Sequence, residues 1–351
     1  MKCGLTRKVA VRIAALMALP ALAGEADSTG LSLDTIIVRD CGQRSFAGSV
    51  PPGNYSGITP IGGNRYAVVS DKSATDGFFV FKIDVDSVSG EVVFVENEGF
   101  RSAEFPNRDG EGIAFFAPAG TLFVSGESDS RIFEYSPDGR RTGRAIVVPE
   151  VFATASANYG LESLTYNNVT HRFWTTTEST LPADGERATA VNGVRNKLRL
   201  QSFGDDLQPS EWFYYEMDAP EARSEAGSYA MGVSELCALD DGRLVVLERE
   251  FFVSRRKIGS YVNVKLYLVN PSAAVPGEVL DKRFLHGFRT KLSLLGRGIA
   301  NYEGMCIGPR LADGSLTLIL VSDSQNGYKG VLRDWFRTIV MSLNREGNPR
   351  P

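Results

Sequence analysis

SGITPIGGNRYAVVSD (Ser56–Asp71), EGIAFFAPAGTLFVSGE (Glu111–Glu127), ESLTYNNVTHRFWTTTE (Glu162–Glu178), ELCALDDGRLVVLE (Glu235–Glu248) and EGMCIGPRLADGSLTLILVSD (Glu303–Asp323) are five versions of one form. Each opens on a small or acidic residue, runs through an apolar stretch, turns, runs through a second apolar stretch and ends on an acid. Three are approached by the same pair, Asn54-Tyr55, Asn158-Tyr159 and Asn301-Tyr302. Self-similarity of this kind marks a repeat architecture. The joining residues, such as Gly62-Gly63-Asn64, Asp240-Asp241-Gly242 and Asp313-Gly314, are hairpin turn chemistry.

After each hairpin come two more strand-like runs. In the second repeat they are Arg131–Tyr135 and Arg144–Val148, split by Pro137-Asp138-Gly139. Four strands in meander order make one propeller blade. Helical periodicity is nearly absent, so the expected fold is all-β, a β-propeller. Five blades are favoured, with six the alternative if the longer spacing between the third and fifth repeats hides a degenerate blade. The fifth repeat has a third strand, Arg337–Leu343, and then the chain ends in a polar tail. The orphan run Thr35–Val38 near the amino end is expected to supply the missing strand and close the sheet edge.

The first residues read as an export signal. Lys2, Arg7, Lys8 and Arg12 precede or interrupt an apolar run to Leu22, and Ala21-Leu22-Ala23 is a small-residue cleavage site. Residues 1–23 are thus expected to leave, with residues 24–351 forming a single domain that is secreted or periplasmic. No later segment reaches the roughly 20 apolar residues of a membrane span. Losing four basic residues and no acid takes the formal charge from −4 to −8. That acidity argues against nucleic acid, which needs a basic footprint. Cys41, Cys237 and Cys306 are an odd set that does not form a disulfide framework, and the last two lie in apolar strand patterns as buried thiols.

In a hairpin the start of the first strand lies beside the end of the second. Glu111 is expected next to Glu127, Glu162 next to Glu178, Glu235 next to Glu248, and Glu303 next to Asp323, with Ser56 replacing the first acid beside Asp71. If these hairpins are the inner halves of the blades, their carboxylates form a ring at one end of the central channel. Such a ring repels itself unless cations or basic side chains occupy it. Carboxylate oxygens suit Ca²⁺, with Asp71, Glu111, Glu127, Glu162, Glu178, Glu235 and Asp323 as its candidate ligands. The alternative is that each acid accepts backbone N–H groups or an arginine and fastens the blades together. Two histidines, His171 and His286, are too few for zinc chemistry and make a Ser-His-Asp triad a poor fit. Arg249, Arg255-Arg256-Lys257, Arg289, Lys291 and Arg297 stand in or near loops that open on the same face, where they suit phosphate or carboxylate groups. Glu303 and Glu248, with Arg249 beside the second, are the candidate catalytic residues, and the two acids are expected to approach each other across adjacent blades.

The runs EGIAFF…GTLFVSGE, LESLTYN…FWTTTES, VSELCALDDGRLVVLEREF and NYEGMCIGPRLADGSLTLILVSDSQNG resemble the phytase-like family described as esterase-like activity of phytase. Glu248-Arg249 and Ser322-Asp323 are the most specific parts of the match. The resemblance implies an exported bacterial propeller-like domain that hydrolyses phosphate esters. It carries the family's acidic positions onto Glu111, Glu127, Glu162, Glu178, Glu235, Glu248, Glu303 and Asp323. Ser56 departs from the pattern. So does the lack of an Asp-Asp-Pro-Ala opening, found in calcium-dependent propeller phytases, which puts phytate in doubt as substrate. Two functions of different class follow: a monomeric metal-dependent phosphoesterase acting on a small phosphorylated or anionic substrate, and a non-catalytic propeller that binds a ligand or protein partner on its acidic face.

Overall fold

The computed structural model describes residues 35–344 apart from 157 and 295. The expected export signal lies outside these residues. Five four-stranded antiparallel sheets account for all the named strands. Blade one is β2 (Tyr55–Gly62), β3 (Arg65–Ser70), β4 (Thr75–Val85) and β5 (Val92–Pro106). Blade two is β6 (Gly110–Phe116), β7 (Thr121–Gly126), β8 (Arg131–Tyr135) and β9 (Arg141–Ile146). Blade three is β10 (Leu161–Asn167), β11 (Arg172–Thr177), β12 (Lys197–Phe203) and β13 (Pro209–Glu216). Blade four is β14 (Ser228–Ala238), β15 (Leu244–Val253), β16 (Tyr261–Val269) and β17 (Lys282–Lys291). Blade five is β18 (Asn301–Ile307), β19 (Leu316–Asp323), β20 (Phe336–Asn344) and the amino-terminal β1 (Thr35–Arg44).

The first strands β2, β6, β10, β14 and β18 adjoin in that order around the axis and close the ring. Five apolar clusters lie between the blades, one per interface. The one between blades four and five holds Val245, Leu247, Leu318 and Leu320; that between three and four holds Leu198, Phe213, Leu244 and Val246. Strand alternation explains the division. Even-numbered residues of β15 face blade three and odd-numbered ones face blade five, so both faces are buried and its first half, Leu244–Leu247, reads as a continuous apolar run.

The closing strand is as expected but longer. β1 pairs with β20 from Thr35 opposite Asn344 to Arg44 opposite Phe336, interrupted by a bulge between Asp40 and Gln43. The six-blade alternative is excluded, because the extra length between the third and fifth repeats goes into the segments 178–196 and 217–227, which are not strands. The fourth strand of blade two begins three residues earlier than the apolar run suggested. Arg141 opens it because its guanidinium pairs with buried Asp76. Cys41, Cys237 and Cys306 are unbridged, with the last two buried.

Glycines let the inner strands approach at the axis. A Cβ on Gly112 would stand 2.3 Å from the Leu164 nitrogen, and one on Gly304 would stand 2.1 Å from the Ser56 carbonyl oxygen. These backbones touch because no side chain separates them.

Candidate functional site

Every inner hairpin carries a β-bulge near its start, and the bulges set which residues share the ring. The pairs above the bulge are Tyr55 with Ser70, Gly110 with Gly126, Leu161 with Thr177, Val233 with Glu248, and Tyr302 with Ser322. The next residue on each second strand is therefore equivalent: Asp71, Glu127, Glu178, Arg249 and Asp323. The bulged residues of the first strands are likewise Ser56, Glu111, Glu162, Ser234 and Glu303. Blade four thus presents Ser234 and Arg249, where the sequence reading had Glu235 and Glu248. A one-residue slip along a strand moves a side chain to the other face. The signal was present: Gly160-Leu-Glu-Ser-Leu164 becomes Gly232-Val-Ser-Glu-Leu236, with Glu and Ser exchanged. The Asn-Tyr approach also divides. Asn54 and Asn301 occupy the equivalent position, whereas Gly160 fills it in blade three, donated to by the Glu178 amide at 3.0 Å.

Arg249 is the hub of one half of the ring. Its Nη2 pairs with Glu178 and lies 3.9 Å from Glu162, and its Nη1 pairs with Glu303 and donates to Asn301 Oδ1 at 2.9 Å. Asn301 Nδ2 also donates to Glu303 at 2.7 Å. Burial alone would lower the arginine's pKa, but the charges of Glu303, Glu178 and Glu162 outweigh it and raise the pKa further.

Glu248 and Glu303 do not meet. Glu248 points toward blade three, accepting there from Tyr215 Oη at 2.6 Å and the Asp218 amide at 3.2 Å, and from Lys282 Nζ of its own blade at 2.7 Å. The expected approach of these two acids fails because Glu248 is an even-numbered residue of β15, while Arg249 takes the ring position. Glu235 is buried at the axis. It accepts from the amides of Leu164, at 3.3 Å, and Leu236, at 3.0 Å, and its Oε2 has no partner. Burial drives its pKa well above the ordinary carboxylate range.

The other half of the ring has no arginine. Oxygens of Asp71, Asp109 and Glu111 all lie within 4.8 Å of one another. Asp71 Oδ1 is buried and unpartnered, while Oδ2 lies 2.9 Å from Lys72 Nζ, which also reaches Asp109. Sequence reasoning missed Asp109, which lies just ahead of β6 in left-handed backbone, at φ of 58°, and so is placed by the turn into the strand and not by strand alternation. Burial first, then the charges of Glu162, Glu303 and Asp71, raises the Glu111 pKa well above the ordinary range. Asp323, which accepts from the Gln325 amide at 2.6 Å, is raised likewise by burial and Glu303. Glu162 is raised by burial and Glu178; burial lifts Glu303 and Glu127 to about 7 each. Glu127 accepts from the Gly160 amide at 3.1 Å. With Asp109, Asp129, Ser130, Ser156 and Asn158 it lines a polar cleft of about 420 Å³ between blades two and three.

Both histidines stand away from the ring. His171 is exposed beside Asp205, and His286 sits 3.2 Å from Asp40.

Geometry therefore defines a five-bladed propeller in which Arg249 meets Glu162, Glu178 and Glu303, while Asp71, Asp109 and Glu111 cluster without an arginine. The chain belongs to the phytase-like family described as esterase-like activity of phytase, whose pattern matches residues 50–325. No curated protein sequence matches it. Similar solved structures include a luciferin-regenerating enzyme, 13% identical over 86% of this chain and 96% of that one, with a TM-score of 0.42. An endo-arabinase from Bacteroides thetaiotaomicron is 13% identical over 86% and 97%, with a TM-score of 0.43. A streptogramin B lyase is 10% identical over 89% and 99%, at 0.35. At these scores they bear on neither activity nor site.

Proposed function

We propose that the protein is a divalent-cation-dependent hydrolase of small phosphate esters, with the cation held by Asp71, Asp109 and Glu111. One observation carries the reading. Arg249 answers Glu162, Glu178 and Glu303, whereas the opposite three carboxylates have only Lys72, and one of their oxygens is buried without a partner. An all-oxygen donor set suits a hard cation such as Ca²⁺, which takes six to eight oxygens and so leaves positions for water and substrate. The Lys72 side chain is 56% exposed and can swing aside on its flexible stem. When bound, the ion would supply positive charge to the phosphoryl oxygens.

The chain's own residues supply the rest. Glu127 lines the cleft beside Asp109, where its carboxylate is placed to take a proton from water as general base. Glu303 and Arg249, read as catalytic from the sequence, are bonded to each other and hold the ring in shape. Glu248 supports blade four from outside the ring. Export from residues 1–23 to a secreted or periplasmic location belongs to the same proposal.

Lys72 supports a second reading. If it stays on Asp71 and Asp109, the propeller is its own counter-ion and a non-catalytic binding module. Turnover of 4-nitrophenyl phosphate separates the two. Hydrolysis is expected with Ca²⁺, is expected to vanish with chelator, and should fall about 10²–10⁴-fold in Glu127→Gln. A folded, calcium-loaded protein with no turnover on any phosphomonoester would leave the binding module.

A further inference from the structure

Three loops on the ring face of blades four and five carry a charge pattern that the ring chemistry does not use. They are residues 254–260 after β15, residues 292–300 with the end of β17 before them, and residues 324–335 after β19. Together they expose Arg256, Lys257, Lys291, Arg297, Lys329 and Arg333, none of which pairs with a carboxylate among the described residues. Arg255 is exposed too and pairs with Glu225 of the neighbouring segment 217–227. The one carboxylate within the loops, Asp334, is buried. On a chain of formal charge −4 these loops thus form a sector of unpaired cations with no exposed carboxylate of their own.

The same loops hold apolar side chains out into water. Ile258 is 51% exposed, Leu294 82% and Tyr328 43%, one from each loop. Beneath them lies a cavity of about 250 Å³ walled by Phe251, Val253, Leu292, Ile299, Val331 and Leu332. Hydrogen bonds make the loops one surface, one between backbones and one from the Arg297 guanidinium. The Gly259 amide donates to the Leu292 carbonyl at 3.1 Å, and Arg297 donates to the Gly330 carbonyl at 2.9 Å. Gln325, Asn326 and Lys329, at φ of 48°, 52° and 50°, hold the segment around Tyr328 in left-handed backbone. Non-glycine residues pay for that conformation, which persists where the surroundings fix it and recurs at binding sites.

We propose that this sector is a docking face for an anionic lipid surface. Clustered Lys and Arg are drawn to anionic headgroups, exposed Ile and Leu enter the boundary below them, and Tyr suits that boundary because its ring is apolar and its hydroxyl polar. A soluble polyanion would use the cations but leave Ile258 and Leu294 in water, so the paired pattern favours a lipid surface.

Co-sedimentation of the full chain with vesicles tests it, with chelator present so that calcium bridging between ring and headgroups is excluded. Binding is expected to vesicles of phosphatidylglycerol and phosphatidylcholine in equal parts, and not to phosphatidylcholine alone. Removing two cations in Arg256→Gln/Lys257→Gln should weaken it about 25-fold, at about fivefold per cation. Ile258→Ser/Leu294→Ser, which leaves the charge unchanged, should weaken it about tenfold or more. All four side chains are in surface loops, so melting temperatures should match the parent and show that folding is intact. No sedimentation with the anionic vesicles overturns the proposal. So does parent-like binding of the Ile258/Leu294 variant, which would mark a plain polyanion site.

Discussion

Replacing Arg249 with methionine keeps a flexible apolar stem in the buried site and removes the guanidinium and its charge. Glu178 and Glu303 then lose their shared partner, and Glu162 loses a guanidinium 3.9 Å away, all in a buried setting. Taking one member from a buried ion pair costs about 3–5 kcal/mol, because the remaining charge is left uncompensated. Unfolding entropy near 2.1 cal/mol/K per residue, over the 310 positions from 35 to 344, converts this to a drop of about 5–8 °C in melting temperature. That figure applies at pH 8. At pH 5 Glu303, pushed up to about 7 in the parent, and Glu162, raised by burial, take up protons instead of remaining charged. The cost then falls to lost hydrogen bonds, about 1–2 kcal/mol or 2–3 °C. Scanning calorimetry of parent and variant at both pH values, with chelator present, reads the difference directly. Calcium should also stabilise the variant more than the parent, since carboxylates released from Arg249 become available to it. Equal losses at pH 5 and pH 8 would show that Arg249 acts by packing and not as the ring's counter-charge.

Two further outcomes follow from the same electrostatics and topology. Glu303 and Glu127 titrate near 7 in the fold against about 4.5 when unfolded, and Glu111, Glu162 and Asp323 are raised in the same direction. Acids raised on folding contribute stability that is complete below the unfolded value and lost as pH rises toward the folded one. The chelated protein should therefore melt lower at pH 8 than at pH 5, with calcium narrowing the gap; a chelated melting curve independent of pH across this window would contradict the ring's strain. Removing β1 by deleting residues up to Arg44 bares the edge of β20 from Phe336 to Asn344. The truncated chain should aggregate or melt more than about 10 °C lower, as circular dichroism would show, and parent-like melting would make β1 dispensable.

The propeller was legible because its hairpins repeat both pattern and turn chemistry, and because the odd strand at each end had one place to go. The positions of the acids were legible in blades two, three and five, where they begin and end hairpins in step with the bulges. Blade four defeated the reading. Its bulge keeps the place it has in blade three, but Ser234 and Glu235 stand in exchanged order across it, so Glu248 falls opposite Val233 and Arg249 takes the next position, and bulge position depends on pairing across strands that apolar patterns do not report. Asp109 was hidden for a related reason: it lies ahead of the repeat, and only the turn of the chain into β6 brings it beside Asp71.

Calorimetric titration of Ca²⁺ into the chelator-stripped protein, parent against Asp109→Asn and Glu111→Gln, tests the assignment of the cation to the half of the ring that lacks an arginine. The account predicts saturable binding by the parent that is weakened at least tenfold in each variant, with the fold intact by circular dichroism. No binding by the parent, or binding that both variants retain unchanged, would contradict it.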